Sequence, residues 1–244
     1  MKNTKKPAYR RLNQLVSLAL ICIAAAITWL KNDEKEHKTP QVSQQTQQMP
    51  SVQLPDHLGN YDTSLSNDKF GQNSTAPIDY YMLSLSWSPS FCESQKQRNN
   101  GKIPQNLQFQ CNQAAKFGWV IHGLWPQNAK ANRVEDHPRF CQGDLPPVSE
   151  ITIKKYMANS PGAGLLQGEW EKHGACAFDT AEDYFAKQKE LFDSLNLPGS
   201  ELSRKELFQW MKKFNPQLRN VHLNASHNEL YICYDKKWQP MDCQ

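Results

Sequence analysis

The chain has 244 residues and a formal net charge of +4, enough length for one sizeable domain plus extensions. Residues 1–76 hold 9 Lys and Arg against 6 Asp and Glu, and residues 77–244 hold 19 against 18. The second stretch is therefore almost neutral, which excludes the broad basic field of a sequence-independent nucleic-acid coat protein and leaves only a local site for a charged substrate.

Residues 1–30 read as an export signal. Lys2, Lys5, Lys6, Arg10 and Arg11 precede an apolar run from Leu15 to Leu30, which is short for a membrane span and suits a signal h-region. Ala24-Ala25-Ala26 lies inside the run and no clean cleavage site follows it, so both a cleaved signal peptide and an uncleaved N-terminal membrane anchor are open. Either way the basic flank stays inside and the rest is exported, to the periplasm or the exterior. Residues 31–76 are polar and Gln/Ser-rich, with Pro40, Pro50 and Pro55, and are expected to be a flexible linker.

Residues 77–244 are expected to fold. Tyr81, Leu83 and Leu85 alternate with Met82, Ser84 and Ser86 as in a strand ending at Pro89. Residues 94–110 are expected as loop, Phe117–Leu124 as a central strand, and 126–147, with four prolines, as loop. Val148–Met157 and Asp179–Leu195 are expected helices, and Gly168–Cys176 a short one. Ser203 and Glu206 form a capping box for a helix to Phe214. Val221–Leu223 and Glu229–Tyr234 are expected strands. Strands, then helices, then strands predict an α+β domain. Cys22 belongs to the apolar run, which leaves Cys92, Cys111, Cys141, Cys176, Cys233 and Cys243. Six cysteines in an exported chain suggest three disulfides in any of 15 connectivities, and no C-x-x-C pair supports a zinc site.

Two segments carry candidate chemistry: Trp119-Val120-Ile121-His122-Gly123-Leu124-Trp125-Pro126 and Glu169-Trp170-Glu171-Lys172-His173-Gly174-Ala175-Cys176. Strand alternation puts Val120, His122 and Leu124 on one face. Helical spacing puts Glu169, Lys172 and His173 on one face, as it does in many ordinary surface helices. Trp125 offers a flat surface on which a base would stack, with core packing as its alternative.

These two segments closely resemble the active-site segments of the ribonuclease T2 family, and Leu85-Ser86-Trp87-Ser88-Pro89-Ser90-Phe91-Cys92 resembles its first core strand. The resemblance runs over roughly residues 79–243. It implies an α+β fold with a central antiparallel sheet flanked by helices, stapled by Cys92–Cys111, Cys141–Cys176 and Cys233–Cys243. It implies that His122 and His173 are an acid–base pair, with His173 the base and His122 the acid, and that Glu169 and Lys172 stabilise the transition state. Two positions depart from the family: Gly168 stands where many members have a phosphate-holding histidine, and Gln127 where an acidic residue is common.

The implied activity is that of an endoribonuclease without metal or other cofactor. The ribose 2′-hydroxyl attacks phosphorus, one imidazole takes its proton, the other protonates the leaving 5′-oxygen, and an ammonium offsets the phosphorane charge. The product is a 2′,3′-cyclic phosphate, single-stranded RNA the substrate, and DNA is not cut; the protein is expected to be a monomer. Two other readings stand beside it: a catalytically weak RNA- or partner-binding protein on the same scaffold, which Gly168 favours, and a metal-dependent hydrolase using His122, His173 and Glu169, which Lys172 disfavours.

Overall fold

Leu83 and Leu85 are fully buried, and their strand, β1 (Tyr80–Trp87), is the middle of an antiparallel sheet. The computed structural model describes residues 52–112 and 116–244; the export signal and the first part of the linker lie outside the described residues. On one side β1 pairs with β2 (Trp119–Gln127), on the other with β4 (Glu229–Tyr234). The two-residue strands β3 (Asn224–Ala225) and β5 (Pro240–Met241) both pair with β4.

Among the described residues, six α-helices surround the sheet: α1 (Ser88–Arg98), α2 (Gln108–Cys111), α3 (Glu150–Tyr156), α4 (Ala163–Lys172), α5 (Ala181–Asp193) and α6 (Arg204–Phe214). One sheet face carries Leu83, Leu85, Ile121, Leu124, Leu230 and Ile232 into a core completed by Tyr184 and Phe185 of α5, Trp210 and Met211 of α6, Trp170 of α4 and Ile153 of α3. Each fully buried aliphatic or aromatic side chain contributes roughly 1.5–3 kcal/mol. The α+β architecture is as expected, with an antiparallel sheet flanked by helices and disulfides joining Cys92 to Cys111, Cys141 to Cys176 and Cys233 to Cys243.

The helices expected near 148–157, 179–195 and 203–214 are present, the last with the Ser203–Glu206 capping box formed. Three local expectations are corrected. The region from Ser88 to Arg98 is helical, and Pro89 occupies its first turn, where a missing N–H costs nothing. This helix has no apolar stripe; the Cys92–Cys111 bridge ties it to α2. Val221 and Leu223 are buried but not in a strand, because the His222 N–H is taken by the Asp242 carboxylate at 2.7 Å. Finally, the expected linker is part of the packed unit at least from Leu58. Leu58 and Tyr61 pack on the core, the Tyr61 hydroxyl donates to the Val148 carbonyl at 2.6 Å, and Asn73 pairs with Arg139 as an isolated bridge. A polar composition hid this contact, because only a few apolar side chains anchor it.

Candidate active site

His122 lies on β2 at a point where the sheet register slips. Ser84 pairs with Gly123 and Leu85 with Ile121, leaving His122 without a partner on β1. That is a β-bulge, which bends a strand and re-aims the side chain at the extra residue. It also reverses the alternation beyond His122. Leu124, expected beside His122, instead joins Ile121 and Leu85 in the core, while Gly123 and Trp125 take the opposite face.

The bulge is pinned from the flank. The Ile121 N–H donates to the Asn159 carbonyl at 2.8 Å, and the Ser160 hydroxyl donates to the Ile121 carbonyl at 2.8 Å. Past the bulge, the buried Tyr184 hydroxyl accepts from the Leu124 N–H at 3.2 Å and donates to its carbonyl at 3.1 Å. Two fixed residues, Ile121 and Leu124, thus bracket His122 and Gly123, of which only His122 has a side chain to project.

The second segment begins in α4 and leaves it at His173, whose backbone (φ −126°, ψ −50°) abandons the helical path. The following 3-10 turn, Gly174–Cys176, packs tightly: a Cβ on Gly174 would lie 2.6 Å from a Tyr184 ring carbon. The Cys141–Cys176 disulfide and a bond from the Phe140 N–H to the Lys172 carbonyl at 2.9 Å bind this end of the helix to the preceding loop. Phe140 is held at φ 45°, a left-handed conformation uncommon for a bulky residue.

The two segments meet at Trp125. Its ring lies edge-on to His122 with centroids 5.1 Å apart, and tilted against His173 at 5.5 Å. Its indole N–H donates to Glu169 Oε2 at 2.7 Å, and Glu169 Oε1 stands 3.6 Å from His122 Nε2. Gly123 lies beneath this junction, where any Cβ would overlap both the Glu169 carboxylate and the indole nitrogen. His122, His173, Glu169 and Trp125 are therefore brought together. Lys172 points to the same region, its Nζ 3.1 Å from Asp68 Oδ2.

Asp68 and Glu229 escaped the sequence reading. Asp68 comes from the expected linker and binds Arg139 through both carboxylate oxygens, at 2.8 and 2.9 Å, as well as Lys172. Burial opposes its charge, but the Phe70 N–H and the two cations prevail and hold it down at about 2. Glu229 opens β4, and its Oε1 lies 2.5 Å from His122 Nδ1. No local motif marks either residue; only the tertiary pairing of distant segments does.

The two imidazoles have opposite environments. For His122, with a side chain 36% exposed, burial opposes the charged form, but the Glu229 bond and the nearby Glu169 and Glu229 charges raise its pKa above the ordinary 6.5. His173 is 8% exposed. Burial, then the positive charges of Arg139 and Lys172, push its pKa well below 6.5. Burial likewise raises Glu169, against the opposing pull of His122, Trp125 and Lys172. Among the described residues, no group of three or more His, Cys, Asp or Glu side chains is arranged to hold a metal ion.

Residues 78–215 match the model of the ribonuclease T2 family. A probable ribonuclease of Haemophilus influenzae is 59% identical over 194 residues, spanning 80% of this chain and 71% of its own length. Ribonuclease I of Escherichia coli is 30% identical over 142 residues, 47% of this chain and 53% of its own, so the chain spans about half of that relative. Among solved structures, an RNase-related protein from Calystegia sepium superposes with a TM-score of 0.52 at 20% identity, over 69% of this chain and 91% of that one; this likeness concerns the fold alone. The chain belongs to the ribonuclease T2 family.

Proposed function

We propose that this protein is an exported endoribonuclease that cleaves single-stranded RNA by metal-independent transphosphorylation, leaving a 2′,3′-cyclic phosphate. The carrying observation is two imidazoles against one indole, with neighbouring carboxylates raising the pKa of His122 and burial among cations lowering that of His173. A base must start neutral and an acid must start protonated. His173 accordingly takes the 2′-hydroxyl proton as oxygen attacks phosphorus, and His122 gives a proton to the departing 5′-oxygen. Lys172 offsets the charge gathering on the phosphorane, and Glu169 orients around it from its bond to Trp125. Since Trp125 is committed to that bond and to both imidazoles, it acts here as a wedge that sets the site's spacing more than as a stacking platform.

A cavity of about 310 Å³ adjoins His122 and Glu229, lined also by Ser86, Phe91, Leu107 and Leu165. Its size suits a ligand group. Because the proton donor touches the leaving oxygen, the nucleoside released from that oxygen fits here.

Digestion of RNA in excess EDTA tests the proposal. The wild type should cut RNA but not DNA, which lacks the attacking hydroxyl, and His122→Phe and His173→Phe should each lose at least a hundredfold. Undiminished cutting by both variants would end it. Gly168 favours a second reading, a weakly catalytic RNA- or partner-binder, since a Cβ there meets nothing within 4 Å and no side chain reaches for a phosphate. Tight RNA binding without cleavage across a pH series would select that reading. Whether residues 1–30 are a cleaved signal or a retained anchor is decided by N-terminal sequencing of the mature protein.

A further inference from the structure

His122 and Glu229 lie two strands apart, with β1 between them. Neighbouring strands are about 4.8 Å apart, so their side chains must span roughly 10 Å across β1. They manage it because the two β1 residues between them, Ser84 and Ser86, are small. Ser86 pairs with both Val120 and Glu229, and Ser84 with both Gly123 and Tyr231. Larger side chains at 84 and 86 would fill the path. The bulge at His122 and the serine pair therefore serve one contact, the 2.5 Å approach of Nδ1 to Glu229 Oε1.

Glu229 is itself held. Its Oε2 accepts from the Tyr231 hydroxyl at 2.6 Å, and the two residues share a face at i and i+2 of β4. Tyr231, pushed up to about 12 by burial and by Glu229, stays a donor throughout the working range. One carboxylate oxygen is thus fixed and the other turned toward the imidazole.

We propose that Glu229 is the positioning residue that makes His122 the proton donor, an assignment that rests on the nuclease reading. It binds the Nδ1 proton, which fixes the ring and leaves Nε2–H as the proton that moves. When the P–O5′ bond breaks, that proton passes to O5′ while the 2′-hydroxyl proton passes to His173. His122 is left as a neutral imidazole still donating Nδ1–H to Glu229. Glu169 cannot take this role: it approaches the other nitrogen, at 3.6 Å, and is occupied by Trp125. The charged groups facing His122 are Glu229 from β4, Glu169 and Lys172 from α4, and His173 just beyond it. The carboxylates favour the imidazolium and Lys172 opposes it.

Glu229→Gln tests the assignment because it keeps the shape and removes the charge. Two substrates are compared, a dinucleoside monophosphate and a nucleoside 3′-(4-nitrophenyl phosphate), whose leaving group needs no proton. With the dinucleoside, kcat should fall roughly tenfold to hundredfold with KM little changed, and the alkaline limb of kcat/KM should move to lower pH. With the nitrophenyl ester, kcat should stay within a few-fold of wild type. Tyr231→Phe should produce the same pattern more weakly, and proton NMR titration of His122 in each variant should follow the limb. Equal losses on both substrates, or an unmoved limb and titration, would overturn the assignment while leaving the nuclease reading intact. A wild type inert on both substrates would overturn that reading and this assignment with it.

Discussion

Asp68→Asn isolates the contribution of the segment before the sheet. In the folded protein Asp68 titrates at about 2 against an ordinary 3.8, because the Phe70 N–H, Lys172 and Arg139 hold its charge. A folded-state pKa lowered in this way adds stability above the unfolded pKa and loses it as pH falls through the folded one. At about 1.4 kcal/mol per pH unit between the two values, the carboxylate contributes roughly 2–3 kcal/mol at neutral pH. Asn keeps the shape and cannot ionise, so the variant should be less stable by that amount at pH 6, a fall of roughly 1 M in the urea midpoint at a typical slope. Between pH 4 and pH 2 the wild type becomes neutral too, and the two curves should converge. Urea titrations at four or five pH values read this directly. A gap that stays constant over the whole series would show that the carboxylate's charge is not what ties residues 58–76 to the domain.

Gly123→Ala places a methyl group inside the Glu169–Trp125 junction and should displace that carboxylate by about an ångström, with roughly a hundredfold loss of kcat; a melting curve checks that overpacking costs only about 1–3 kcal/mol. The double change Cys141→Ser, Cys176→Ser opens a bridge between residues 35 apart and should lower stability by roughly 4 kcal/mol on the chain-entropy account, measured by denaturation under non-reducing conditions. Activity against pH should be bell-shaped. It should rise as His173 loses its proton below 6.5 and fall as His122 loses its own above 6.5; a profile with both limbs on one side of 6.5 would contradict the assignment of roles.

Legibility in the sequence followed the range of the interaction. Strand β4 was readable to its ends because Leu230 and Ile232 alternate with Glu229 and Tyr231, and α6 because its capping box is a local hydrogen-bond exchange. The bulge was not readable. Inserting one residue changes which later side chains face the core, yet Ile121-His122-Gly123 looks like uninterrupted strand. Tyr184 and the Asn159–Ser160 loop, 60 and about 40 residues away, hold it. Glu229 was placed in its strand correctly and missed as a site residue, since its meeting with His122 needs β1 inserted between them. Helix α1 lacks the stripe that periodicity detects, and the role of Asp68 depends on cations 71 and 104 positions later.

The difference between the two histidines is produced by position in the fold rather than by residue type. His122 leaves an edge strand, where a bulge turns it toward solvent and toward two carboxylates. His173 sits where a helix ends beneath the Arg139–Phe140 loop, so burial and positive neighbours act on it in the same direction. The disulfide, the Phe140 conformation and the Asp68 bridge all fasten that loop onto the helix end. Features that look like stabilisation therefore also set a charge state. Loosening the loop would admit water to His173, reduce the burial that keeps it neutral, and raise its pKa toward 6.5. The acidic limb of activity should then move up in pH in any variant that frees the loop, well before the fold itself is lost.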